Sequence, residues 1–82
     1  MKTDAIQAFL RGVGQAVEDG HTVAEVEASR DDDGVLVAAL DGGGSVLAAV
    51  VCPDDGEDLD AIRDEFTLAA GVVVGLKTWK PE

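Results

Sequence analysis

Ile6, Phe9, Leu10, Val13, Ala16 and Val17 recur at intervals of three and four, which lines one side of a helix with apolar groups. The spacing predicts a helix over residues 4–19, with Gln7, Arg11, Gln15 and Glu18 on its wet side. Asp4 followed by Gln7 resembles a capping box, and Gly20 suits a C-cap. Gly12 and Gly14 each weaken such a helix by roughly 0.5–1 kcal/mol relative to alanine, which suggests a close approach to a sheet or a kink.

The period then changes to two. Ala24, Val26 and Ala28 alternate with Glu25 and Glu27, predicting a half-buried strand over residues 22–30. Asp31, Asp32, Asp33 and Gly34 supply turn chemistry, and residues 35–40 form a second strand. Asp41 and three glycines make the next turn, before a third strand over residues 45–51. Connections this short predict a three-stranded antiparallel meander. Pro53 ends it, and Leu59, Ile62, Phe66 and Ala69 or Ala70 mark a second helix over residues 58–70. Asp55 or Asp58 is placed to cap that helix and Gly71 to close it. Val72, Val73 and Val74 read as the start of a fourth strand over residues 72–76. The expected fold is α+β in the order α-β-β-β-α-β: one domain over residues 1–82, its sheet packed against two helices.

Seventeen acids against six bases leave a net charge of −11, and the excess is concentrated. Residues 31–65 hold eleven acids and one base. Unaided binding to DNA, RNA or an anionic membrane needs clustered Lys and Arg, so the balance argues against all three. A hydrophobic fraction of 46% argues against charge-driven disorder. One cysteine excludes an internal disulfide or a multi-cysteine zinc site. Neither a leader pattern nor an apolar run long enough for a membrane span is present, and a lone thiol suits a cytoplasmic location.

Charge runs are most often solvated loops, but the topology makes these two meet. If the first strand runs up, the second runs down and the third up. The turn at residues 31–34 and the connection at residues 52–58 then share one end of the sheet. Asp31, Asp32, Asp33, Asp54, Asp55, Glu57 and Asp58 would crowd that end, with Asp60 and Asp64 following on the helix. Clustered like charges repel, and they attract a basic partner.

The second and third strands are apolar at successive positions, so both faces of the sheet are greasy. Two helices cover one face, which leaves the other exposed or buried by a homodimer or other partner.

Other constellations are weaker. Residues 54–65 carry acids at several calcium-loop positions, but Leu59 stands where the tight turn needs glycine. His21 and Cys52 fall at opposite ends of the sheet, which argues against a nucleophile–base pair. Gly12-Val13-Gly14 lies within a helix pattern and not after a strand, so it is not a dinucleotide fingerprint. Trp79, between Lys77 and Lys80, reads equally as a binding anchor or a lid on the core.

The element order starts like that of double-stranded-RNA-binding domains and of secretion chaperones. The basic helix and loop of the former have no counterpart here, and the chain is assigned to neither. In composition it resembles cytoplasmic proteins of extreme halophiles. It also resembles small acidic inhibitors encoded by phages and mobile elements, anti-CRISPR proteins among them. That class resemblance implies a non-catalytic inhibitor with no cofactor, occupying a basic surface of a nucleic-acid-handling protein or complex as a nucleic-acid mimic or steric blocker. The alternative is a salt-adapted structural or adaptor protein that assembles through its sheet.

Overall fold

The computed structural model describes residues 2–78. Its elements are α1 (Lys2–Glu18), β1 (Glu25–Asp31), β2 (Gly34–Leu40), β3 (Val46–Cys52) and α2 (Leu59–Thr78). The strands form an antiparallel sheet in the order β1-β2-β3, the meander that the short turns predict. Helix α1 packs on β3, α2 packs on β1, and the helices touch each other.

Register decides which residues meet the helices. Val26, Ala39 and Ala48 lie side by side across the sheet, as do Ala28, Val37 and Val50, and then Arg30, Val35 and Cys52. Neighbours in register share a face, and that face alternates along each strand. Val35, Val37 and Ala39 are fully buried beneath Phe9, Val13, Ile62 and Phe66 from the helices. The rings of Phe9 and Phe66 meet edge to face, with centroids 5.2 Å apart, and join α1 to α2. Gly12 lets α1 lie close on β3, since a Cβ there would come within 2.8 Å of the Ala48 Cβ.

Helix α1 ends as its sequence implies. Gly20 adopts φ 93°, and its amide and that of His21 donate to the carbonyls of Val17 and Ala16 at 3.1 and 2.9 Å. This double hydrogen bond satisfies carbonyls that the helix end leaves free. The start differs from expectation. The helix already runs from Lys2, so Asp4 lies in its first turn and favours the helix dipole without serving as the N-cap.

The larger correction concerns residues 72–76, which continue α2 and form no fourth strand. Asp58 caps this helix: its side chain accepts from the Asp60 amide at 3.1 Å and its carbonyl from the Ile62 amide at 3.1 Å. Once nucleated, the helix gains a hydrogen bond for each added residue. β-branched residues cost it only about 0.7 kcal/mol or less each. Val73 extends the stripe of Leu59, Ile62, Phe66 and Ala70 at the same spacing against the core cluster. Gly71 lacks the positive φ of a helix terminus and lies within the helix. A Cβ there would meet nothing within 4 Å.

Candidate functional site

The acidic end of the molecule is built by two turns and one arginine. Asp31 pairs with Gly34 in register, so Asp32 and Asp33 form the tip of the β1–β2 hairpin. The Asp31 carboxylate accepts the Asp33 amide at 2.9 Å and steadies that tip. Val35 pairs with Cys52, so β3 ends beside the start of β2, and the chain leaves it at the same end of the sheet.

The connection that follows is shaped by its own carboxylates. Asp54 accepts the Gly56 amide at 3.1 Å, Asp55 the Glu57 amide at 3.2 Å, and Asp58 the Asp60 amide. Gly56 takes φ 84°, which the bend requires. Arg30 ties this connection to the hairpin. It leaves β1 on the helix-covered face, one residue before Asp31, and donates from Nε to Asp54 Oδ2 at 2.7 Å. A second guanidinium nitrogen donates to the Glu57 carbonyl at 2.7 Å.

Asp31, Asp32, Asp33, Asp54, Asp55, Glu57 and Asp58 therefore lie along one rim, with Arg30 as the base among them. Asp60 and Asp64 flank Arg63 on the first turns of α2, at 3.6 and 3.7 Å. Their charges are partly offset by that arginine, unlike those of Asp32 and Asp33 at the exposed tip. Asp41 stands apart. It accepts the Gly43 and Ser45 amides in the β2–β3 turn, at the opposite end. Trp79 lies outside the described residues.

Hydrogen bonds from backbone amides orient these carboxylates. Hydrogen bonds from the Gly56 amide and then the Arg30 side chain hold the Asp54 carboxyl below its ordinary range. A carboxyl depressed on folding stabilises the folded chain above its unfolded pKa of about 3.9, and that contribution fades as pH falls through the lower folded value. Asp54→Asn is accordingly expected to be less stable than the wild type at pH 5. The gap should narrow as the pH falls below about 3.9 and through the lower folded value. Urea unfolding across that range reads the difference, and a gap independent of pH would show that the Asp54 charge contributes nothing.

Arg30 is the site residue that sequence reasoning missed. The signal was present in the alternation of Val26, Ala28 and Arg30, which sends the arginine toward the helix side where a charge needs a partner. Cys52 is a buried thiol, in no disulfide, on the covered face, and His21 is exposed beyond the end of α1. Among the described residues, no group of three or more His, Cys, Asp or Glu side chains is arranged to hold a metal ion. None of the helices described is long and apolar enough to cross a membrane.

The sheet face away from the helices is open. Leu36 and Val51 lie side by side on it, as do Ala38 and Ala49, with Ser29 and Glu27 beside them on β1. Val51 is 51% exposed and Val46 61%.

No protein-family model matches the chain, and neither a curated protein nor a solved structure is significantly similar to it. Residue chemistry alone supports a functional reading.

Proposed function

We propose that this chain is a non-catalytic acidic interaction module whose rim occupies a basic surface of a nucleic-acid-handling protein or complex. The observation that carries the reading is the union of two acidic segments, distant in sequence, across the Arg30–Asp54 pair. Carboxylates held by turns at one end of a rigid sheet resemble a row of phosphates in charge, and they pair well with Lys and Arg. Binding by this rim would compete with nucleic acid, associate fast and weaken with salt.

The test is a triple charge reversal, Asp32→Lys, Asp33→Lys and Asp55→Lys, with each bait immobilised in lysate of the source cells. A protein held by the wild type should be released by added nucleic acid. If each lost ion pair is worth about 1 kcal/mol, the variant should bind roughly 100-fold more weakly. Binding indifferent to these substitutions, or undiminished at 1 M NaCl as against about 0.1 M, would end the proposal.

A salt-adapted adaptor that assembles through its sheet is the second reading, favoured by the exposure of Val46 and Val51 on an otherwise acidic molecule. Unfolding on transfer to low salt favours this reading, and full stability there favours the first.

A further inference from the structure

Helix α2 changes character halfway along. Its N-terminal turns face outward with Asp60, Arg63 and Asp64, whereas beyond Phe66 the exposed positions are Thr67, Leu68, Gly71 and Val72, of which only Thr67 is polar, and its hydroxyl donates to the Arg63 carbonyl at 2.7 Å. Leu68 and Val72 are one turn apart, 74% and 64% exposed, the most exposed of the large apolar side chains described. A large apolar pair on a helix is ordinarily turned toward a packed neighbour. Gly71 lies beside them in mid-helix, with neither a positive φ nor any described neighbour that would exclude a side chain. Close packing by another helix would account for a glycine there.

Charge identifies what covers this face. Residues 66–78 contain no acid and a single base, Lys77, in a chain whose net charge is −11, and the nearest acids on the same helix, Asp64 and Glu65, lie one turn before Leu68. A neutral apolar face offers a basic partner nothing to pair with. It is also the face on which two copies of so acidic a chain can meet at the least electrostatic cost. Val72 lies about 20 Å along the helix from the Asp58 cap, at 1.5 Å per residue. Two copies joined there with helices antiparallel would hold their acidic rims roughly 40 Å apart, several times the Debye length of about 8–10 Å in physiological salt. The open sheet face lacks this property, since Glu25, Glu27 and Asp31 border it along β1 and a second copy would bring acidic rows close together.

We propose that the outward face of the C-terminal half of α2, centred on Leu68 and Val72, is the contact surface for a second copy of this chain, helix packed on helix about a twofold axis. The contact is isologous, so each subunit supplies the same patch. It leaves both rims free, and it does not depend on the rim having a partner.

Sedimentation equilibrium of the full chain decides the matter. The wild type is expected to be a dimer in the micromolar range, and tighter in 1 M NaCl than at about 0.15 M, because salt screens repulsion between the two acidic bodies. Leu68→Glu combined with Val72→Glu should raise the dimer dissociation constant at least 100-fold. Both side chains are exposed, so its circular dichroism should match that of the wild type. Val51→Glu on the open sheet face should leave the dimer intact, as should the triple charge reversal of the rim. A wild type that stays monomeric at 200 μM in both salts would overturn the proposal. So would a dimer that survives the double α2 substitution, or one broken by Val51→Glu alone.

Discussion

Phe66→Ala is expected to destabilise the fold by about 3–5 kcal/mol, the usual cost of truncating a fully buried aromatic ring. Domains have about 0.05–0.15 kcal/mol of stability per residue, so a chain of 82 residues holds roughly 4–12 kcal/mol in all. One truncation can therefore leave much of the population unfolded at 25 °C. The effect is large because Phe66 has no exposed surface and meets Phe9 across the line where the two helices touch. The helices are not neighbours in sequence, and this ring pair is their aromatic junction. Urea unfolding followed by circular dichroism measures the loss. A cycle with Phe9→Leu should show a coupling of about 0.5–1.5 kcal/mol beyond area burial. A loss below about 1 kcal/mol would mean that the two rings are not packed together.

The same ring explains why part of the fold was legible and part was not. Repeats of three and four place Phe9 and Phe66 on apolar stripes, and alternation places Val35, Val37 and Ala39 on one face of a strand. These are local patterns, and each is reproduced in the structure. The shared rim was legible from counting alone, because turns as short as these force successive strands to reverse. Residues 72–74 were not legible in the same way. A run of three valines satisfies a strand by propensity and a helix by the position of Val73 on the stripe, and the decision belongs to tertiary contact with α1. Arg30 was missed for a related reason. Its importance depends on where a connection twenty-odd residues later passes, which no local pattern records. The seven acids of the rim lie at one end of the sheet, while their use by a partner rests on chemistry that the fold only permits.

Gly34→Ala is expected to be the most damaging single-atom addition near that rim. Gly34 adopts φ 135°, a conformation that side chains rarely occupy. Two-residue hairpins usually place positive φ at their central residues, but neither Asp32 nor Asp33 adopts it here, and Gly34 makes the left-handed step instead. A Cβ at this position would also run into the carbonyl oxygen of Cys52 and touch Val51 Cγ1 at 3.4 Å. The obstacle is backbone in a paired strand, so it cannot swing aside as a side chain would. Strain and collision together should cost about 2–4 kcal/mol. At about 4–8 °C per kcal/mol for a domain of this size, Tm should fall by roughly 8–32 °C. Gly20→Ala is the control. It has φ 93° but nothing within 4 Å of the added atom, so it should lose only the conformational part, about 1–2 kcal/mol. The difference between the two variants isolates the contact between the hairpin and the end of β3. That contact, with the Arg30–Asp54 pair, holds residues 31–33 beside residues 54–58, so under the proposed function Gly34→Ala should weaken docking of the rim even in the fraction that remains folded. Equal losses from the two glycines would mean that the hairpin and β3 do not meet at Gly34, and the two acidic segments would then have no common rim.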